Sequence, residues 1–249
     1  MGLGKVVLVI GGCHGIGAGI VESMAKKGYI VIFSYRSRKN EAIALQNRLC
    51  LEGLSVKAVY GNFVAESHIE NFLKGIRDID ILIVNAAINH KNPFLSYSVK
   101  EFEGIMKNNL FMPFLFCQKM AKIWADTGKK GRVIFISSIR GETPQIGRLG
   151  YCCSKASLNM LTRCAAYELA TYGITVNAIA VGLTGLGMNE HLELESDTKW
   201  KERGKKIPLG RMGQGKDIGN TVAFLADEES DWITGQIITV DGGHLLRTF

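Results

Sequence analysis

The chain has 249 residues, a 47% content of hydrophobic residues and a formal net charge of +7 at pH 7. Its length suits a single α/β domain spanning residues 1–249, because no segment has the composition of a linker. The longest apolar runs are as short as strands, which argues against a membrane span. The basic clusters lack the interleaved aromatic residues of a nucleic-acid-binding surface, so the positive charge indicates only a general preference for anionic ligands.

The start of the chain and its cysteines are typical of an intracellular protein. Residues 1–12 enter an apolar strand without the basic start and cleavage site of an export signal, so we expect a cytoplasmic location. The six cysteines show neither CxxC pairing nor the spacing of zinc ligands. We therefore expect reduced, mostly buried thiols and no metal ion.

Short β-branched runs alternate with helix-like segments along the chain. The predicted strands are residues 5–10, 29–35, 55–60, 80–84, 132–137, 174–180 and 236–240. Predicted helices occupy residues 16–28, 42–49, 66–76, 98–126, 151–172 and 216–227, whereas residues 183–206 are expected to be irregular and to form a lid over the substrate. Parallel strands need long crossovers that cover the sheet, so this alternation predicts an α/β, doubly wound parallel sheet of about seven strands.

A glycine-rich turn, IGGCHGIG, occupies residues 10–17 between the first strand and the first helix. In such a turn, backbone N–H groups and the positive end of a helix dipole can meet the pyrophosphate of a dinucleotide. Gly11 would permit the tight turn, Gly15 the approach of phosphate, and Gly17 the close packing of helix on sheet. The position of this motif predicts a dinucleotide-binding site.

The end of the second strand indicates which dinucleotide is bound. An acidic residue there would accept hydrogen bonds from the ribose hydroxyls of NAD, but this chain has Tyr35, followed by Arg36 and Arg38. A guanidinium can form paired, charge-assisted hydrogen bonds with a phosphate. We therefore predict NADP(H).

Several further motifs follow in the order found in the short-chain dehydrogenases/reductases: NAA at 85–87, NNL at 108–110, ISS at 136–138, YCCSK at 151–155, VNAIAVG at 176–182 and ITGQIITVDGG at 233–243. The chain resembles this family, and its single Rossmann-like domain, over essentially its whole length. The resemblance implies the catalytic residues Asn109, Ser138, Tyr151 and Lys155. It implies cofactor contacts from Gly11, Cys13, His14, Gly15, Ile16, Gly17, Tyr35, Arg36, Asn62, Phe63, Asn85, Ala86, Ala87, Tyr151, Lys155, Gly182 and Thr184.

These residue types suit the reduction of a carbonyl group. The developing alkoxide needs a proton, which the phenol of Tyr151, with an ordinary pKa of ~10, can supply if a neighbour stabilises the phenolate. Lys155 lies on the same face of a helix at i+4, so its ammonium can lower the phenol pKa and bind the nicotinamide ribose. The resemblance implies that Ser138 bonds to the substrate oxygen and that Asn109 holds a proton-relaying water.

By general likeness, the 3-oxoacyl-acyl-carrier-protein reductases are nearest within the family. The predicted reaction is NADPH-dependent reduction of a ketone to a secondary alcohol, on a small-molecule carbonyl or alcohol substrate. An acyl carrier protein could dock on Lys129, Lys130 and Arg132, although the plainer interpretation is that this basic run caps a helix. Oxidation of a sugar or other small alcohol is the alternative, and a non-catalytic dinucleotide sensor is a second one.

The resemblance also implies a homotetramer assembled through the helices at 98–126 and 151–172 and the last strand. An isologous interface is the general expectation for such assemblies.

Overall fold

The computed structural model describes residues 4–185 and 197–247. In this part of the chain, all strands run parallel in one seven-stranded sheet of order β3-β2-β1-β4-β5-β6-β7. The strands are β1 Val6–Ile10, β2 Ile30–Tyr35, β3 Val56–Tyr60, β4 Ile79–Val84, β5 Arg132–Ser138, β6 Thr175–Val181 and β7 Ile237–Val240. The predicted doubly wound α/β fold is confirmed.

The helices are α1 Gly15–Lys26, α2 Lys39–Leu51, α3 Glu66–Lys74, α4 Val99–Met106, α5 Met112–Thr127, α6 Leu149–Leu169, α7 Asp197–Lys205 and α8 Gly215–Ala226. The sheet has a hydrophobic core on each of its two faces. Because successive side chains of a strand point to opposite faces, β1 contributes side chains to both cores. Val7 and Val9 pack in the core shared with α1, α2 and α8, whereas Leu8 and Ile10 pack in the core shared with α3, α5 and α6. Burial on both faces explains why the central strands are largely apolar, whereas the edge strand β3 carries the exposed Lys57.

Two segments differ from the sequence-based expectation. The helix predicted at 98–126 is divided by a π-helical turn, Lys107–Phe111. Helix α7 lies within the segment 183–206 that was predicted to be irregular. Its sequence, DTKWKERGK, is too polar to show an apolar helical period, which is the signal on which the prediction depended. Residues 186–196 of the predicted lid lie outside the described residues.

The cysteines are free thiols, but the expectation that most are buried is wrong. Cys117 is buried, which raises the pKa of its thiol to about 12, whereas Cys50 and Cys164 are exposed. Within the described ranges, no helix is long and apolar enough to cross a bilayer. The same ranges contain no group of His, Cys, Asp and Glu placed to hold a metal ion.

Candidate active site

A cleft of about 1230 Å³ lies at the carboxyl ends of the strands. Its walls come mainly from the loops that follow the seven strands β1 to β7. In the strand order, β1 and β4 are neighbours at the centre of the sheet. From β1 the chain continues to β2 in one direction along the sheet, and from β4 it continues to β5 in the opposite direction. Ligands of open α/β sheets bind where neighbouring connections diverge in this way.

The glycine-rich turn forms one end of the cleft and depends on the absence of side chains. Gly11 has a φ of +84°, and a Cβ atom on Gly17 would lie 2.1 Å from the Gly11 carbonyl oxygen. The Asn85 side-chain amide donates a 2.6 Å hydrogen bond to that same oxygen and ties the turn to the end of β4. The turn is thereby held open towards the N-terminus of α1, as a phosphate-binding turn requires.

His14 supports the fit of this turn to a dinucleotide. It is the N-cap residue of α1, and its Nδ1 atom is buried without a hydrogen-bond partner among the described residues. A buried polar atom without a partner is costly unless a ligand or water satisfies it. Together with the open glycine turn, this atom indicates that the residues present can hold a phosphate-bearing cofactor.

Arg36 and Arg38 line the cleft beyond the end of β2. Arg38 is half-buried and pairs with Glu41 at 3.1 Å, whereas Arg36 is exposed. Asn62 and Phe63 line the same region, but the Phe63 ring also packs edge-on against Phe116 in the core, with 4.8 Å between ring centroids. Phe63 thus anchors the wall of the cleft.

Ser138, Tyr151 and Lys155 lie together at the other end. Ser138 is the last residue of β5, and the i,i+4 spacing places Tyr151 and Lys155 on one face of α6. All three side chains are buried yet line the cleft. The Lys155 Nζ atom lies 5.7 Å from the centre of the Tyr151 ring and donates a 2.7 Å hydrogen bond to the Ile136 carbonyl.

Burial perturbs the acid–base chemistry of both titratable groups. Desolvation raises the pKa of the Tyr151 phenol, while the Ser138 hydroxyl and the charges of Arg148 and Arg140 lower it. Desolvation also lowers the pKa of Lys155 to about 7. Lys155 therefore carries only part of a positive charge at neutral pH. Stabilisation of the Tyr151 phenolate consequently depends on the charges of Arg140 and Arg148 as well as on Lys155.

Asn109 lies behind the cleft, in the π-helical turn between α4 and α5. Its side chain accepts a 2.8 Å hydrogen bond from the Ile88 N–H and donates to the Ile88 carbonyl at 2.8 Å and to Ser154 Oγ at 3.1 Å. A π-turn often marks a functional position in a helix, and here it turns the Asn109 side chain towards the loop after β4. The predicted water-holding role of Asn109 stays a prediction.

Most of the other predicted residues also meet in the cleft. Its lining includes Gly11, Cys13, His14, Ile16, Tyr35, Arg36, Asn62, Phe63, Asn85, Ala86, Ala87, Ser138, Tyr151, Lys155, Gly182 and Thr184. Gly15, Gly17 and Asn109 are not part of the lining. The two glycines shape the turn from behind, and Asn109 fixes the backbone of Ile88.

Comparison with known proteins identifies the family. A family profile described as enoyl-(acyl carrier protein) reductase, which belongs to the short-chain dehydrogenases/reductases, matches residues 11–244. The chain belongs to the short-chain dehydrogenase/reductase family. The resemblance found in the sequence is confirmed, and this short-chain dehydrogenase/reductase is an oxidoreductase with a site for a nicotinamide dinucleotide.

Similar members of the family cover nearly the whole chain. The 3-oxoacyl-(acyl-carrier-protein) reductase FabG of Staphylococcus aureus is 34% identical over 98% of this chain and 99% of its own. FabG of Aquifex aeolicus is 35% identical over 96% of this chain and 97% of its own. Acetoin dehydrogenase from Enterobacter cloacae has a similar structure, with a TM-score of 0.88 and 28% identity, over 100% of this chain and 99% of that one.

Sequence reasoning missed several polar residues at the Tyr151 end of this reductase. Asn89, Lys91, Arg140, Arg148 and His244 all line the cleft. They come from three separate loops without periodicity, so their convergence could not be predicted. The available signal was proximity in sequence, because Arg140 and Arg148 flank the ISS and YCCSK motifs.

Proposed function

We propose that the protein reduces a ketone to a secondary alcohol with NADPH as the electron donor. The observation that carries this proposal is the convergence of Ser138, Tyr151 and Lys155 on one cleft that begins at the glycine-rich turn. Burial raises the pKa of the Tyr151 phenol, so the phenol is protonated at neutral pH and can donate its proton when an alkoxide develops beside it.

When bound, the dihydronicotinamide supplies a hydride to the carbonyl carbon. Tyr151 donates its proton to the carbonyl oxygen. The Ser138 hydroxyl accepts a 3.1 Å hydrogen bond from the Arg140 N–H and donates only a long one, 3.4 Å, to the Val181 carbonyl. Its hydrogen is therefore available to the substrate oxygen, where negative charge develops.

Lys155 completes the proton pathway in this proposal. The hydrogen bond from its Nζ atom to the Ile136 carbonyl fixes the amine below the Tyr151 ring. An amine with a pKa of about 7 both holds and releases a proton at neutral pH. It can therefore help to return a proton to Tyr151 after each turnover and stabilise the phenolate while it exists.

The preference for NADPH rests on the residues that follow β2. Arg36 and Arg38 line the cleft where the adenosine ribose of a dinucleotide would lie, and Tyr35 stands in place of an acid. Two guanidinium groups favour a 2′-phosphate, whereas an acidic residue would repel it. The Nδ1 atom of His14, which has no hydrogen-bond partner among the described residues, can add a polar contact at the adjacent turn.

A 3-oxoacyl thioester is the first substrate to test, because the curated relatives are 3-oxoacyl-(acyl-carrier-protein) reductases. Docking of a carrier on the basic run at 129–132 has weaker support. Lys129 pairs with Asp80 at 2.8 Å and donates to the Asp78 carbonyl at 2.9 Å, which favours a structural role for this residue. The carrier protein is therefore a secondary part of the proposal.

We also propose the homotetramer that the family resemblance implies. Exposed apolar side chains on the π-turn, α5 and α6, including Phe111, Phe114, Met160 and Tyr167, support an interface on this face. Light scattering coupled to gel filtration measures the assembly directly. A monomer of 27.3 kDa would contradict this part of the proposal.

The reaction is tested by fluorescence titration with NADPH and NADH, followed by absorbance at the reduced-nicotinamide band with an acetoacetyl thioester, simple ketones, and sugars with oxidised cofactor. Tyr151→Phe should lower kcat by about 10²-fold or more, because the proton donor is lost, and should retain NADPH binding. Tyr172→Phe, at an exposed position just beyond the same helix, is the matched control and should keep full activity. Full activity of Tyr151→Phe would refute the mechanism, and turnover of sugars alone would favour the dehydrogenase alternative.

A further inference from the structure

Among the described residues, the ionised side chains that line the cleft are all basic. Within the described residues, its lining contains basic side chains but neither aspartate nor glutamate. Arg36 and Arg38 lie at the adenosine end, where the cofactor phosphates account for their charge. Lys91, Arg140 and Arg148 lie elsewhere in the lining and have no such explanation.

Arg140 and Arg148 lie close to the reacting groups. Arg140 is two positions beyond Ser138, and Arg148 is the N-cap residue of α6, immediately before the turn that carries Tyr151. Both charges act on the Tyr151 phenol and lower its pKa, and Arg140 also contributes to the lowered pKa of His244. The two guanidinium groups are therefore near the position that the substrate carbonyl would occupy.

Neither arginine meets a carboxylate among the described residues. Arg140 donates to neutral oxygens, Thr143 Oγ1 at 3.1 Å and the Pro144 carbonyl at 3.4 Å. The Arg148 guanidinium makes no hydrogen bond there, and its Nε atom is buried. Both side chains are partly buried, and a buried N–H group such as Arg148 Nε is unfavourable unless a ligand supplies an acceptor.

Besides His14 at the glycine-rich turn, two other side chains in the lining have buried polar atoms without a partner in the described part of the chain. These are Asn89 Oδ1 and His244 Nδ1. Arg148, Asn89 and His244 thus leave hydrogen-bonding capacity unused in the same cleft. This capacity favours a ligand with polar atoms of its own over an apolar acyl chain.

We propose that Arg148, assisted by Arg140, forms an anion subsite beside Tyr151, and that the preferred substrate is a ketone bearing a carboxylate near its carbonyl group. The proposal rests on the proposed ketone reduction and narrows its substrate class. A carboxylate fits because a guanidinium can bind its two oxygens with paired hydrogen bonds. A thioester places a neutral group at the same position and leaves both cations without a counter-charge.

The test compares each keto acid with its methyl ester. Acetoacetate and levulinate, with their methyl esters, are reduced with NADPH by the natural protein and by Arg148→Gln, Arg148→Lys and Arg140→Gln. The natural protein should have the higher kcat/KM for the acids. Because hydrogen bonds to charged groups are the stronger ones, Arg148→Gln should reduce the acid-to-ester ratio of kcat/KM by about tenfold or more, with Arg148→Lys intermediate.

Controls separate this subsite from general effects. Arg77→Gln, at an exposed position after α3, removes the same charge far from the cleft and should leave the ratio unchanged. A loss of thermal stability in one arginine variant leaves the other two as independent tests. Equal ratios in the natural protein and in all three cleft variants, or a preference of the natural protein for the esters, would overturn the proposal.

A binding measurement separates failure of the subsite from failure of the proposed reaction. Calorimetry with butyrate and with butyramide, in the presence of oxidised cofactor, needs no turnover. Butyrate binding that weakens in Arg148→Gln, with no detectable butyramide binding, supports the subsite even if no ketone is reduced. Absence of butyrate binding in a protein that reduces neutral ketones would refute the subsite and leave the reaction standing.

Discussion

The buried amine of Lys155 makes the stability of the protein depend on pH. Burial lowers its pKa from 10.5 to about 7. Between these pH values the folded protein holds a neutral amine while the unfolded chain holds an ammonium, so unfolding takes up a proton. The free energy of unfolding therefore rises with pH across this window, by up to about 1.4 kcal/mol per pH unit.

Folding must remove the proton from the Lys155 ammonium, which costs free energy at any pH below 10.5. Replacing Lys155 by methionine should remove this deprotonation cost and should also abolish catalytic activity. At pH 7 the variant should gain about 4 kcal/mol of stability from the absence of this deprotonation cost. The variant also leaves the Ile136 carbonyl, which accepts the 2.7 Å hydrogen bond from Lys155, without a partner, at a cost of about 1–3 kcal/mol. Lys155→Met should therefore be more stable than the natural protein at pH 7, and that advantage should shrink by about 2 kcal/mol at pH 9.

Thermal unfolding followed by circular dichroism, without cofactor and from pH 6.5 to 9, measures this advantage. For a chain of this length, 2 kcal/mol corresponds to a shift of about 4–8 °C in Tm. Lys57→Met, on an exposed position of β3, is the control for loss of a lysine and should follow the natural protein at each pH. A Tm difference between Lys155→Met and the natural protein that is the same at pH 7 and pH 9 would refute the reasoning.

Two further predictions concern the cofactor end of the cleft. Arg36→Ala should weaken NADPH binding about tenfold or more while leaving NADH binding nearly unchanged, since only NADPH has a 2′-phosphate; equal losses in the fluorescence titration would contradict the phosphate pocket. Gly17→Ala places a Cβ atom 2.1 Å from the Gly11 oxygen, so it should lower the free energy of unfolding by about 1–3 kcal/mol and weaken cofactor binding. Gly104→Ala in α4 is the control, because the added Cβ atom meets no atom within 4 Å. It should raise the free energy of unfolding by about 0.5–1 kcal/mol. Similar Tm values for Gly17→Ala and Gly104→Ala would contradict the steric argument.

The sequence was sufficient for features that depend on local chemistry. Alternating apolar strands and helices predicted the doubly wound sheet, because strand burial on both faces leaves a continuous apolar run. The glycine-rich turn was recognisable because glycine readily adopts the positive φ found at Gly11, and because a side chain at Gly17 would meet the Gly11 carbonyl oxygen. The spacing of Tyr151 and Lys155 placed them on one helical face because a helix repeats every 3.6 residues.

Other features depended on packing between distant segments. The π-turn that carries Asn109 follows from its contacts with Ile88 and Ser154, which no local pattern encodes. Helix α7 lacks an apolar stripe, so its sequence did not distinguish it from a loop. The lowered pKa of Lys155 arises from complete burial, which is a property of the assembled core.

The sequence by itself determined the fold class, which follows from periodicity and backbone sterics, and it indicated the family and its motif residues through their resemblance to those of known members. Only the tertiary structure decided what surrounds those motifs. Arg140 and Arg148 lie in loops with no repeating pattern, and their approach to Tyr151 depends on how β5 and α6 pack. The charge of the cleft, and with it the proposed class of substrate, is therefore a consequence of the folded structure.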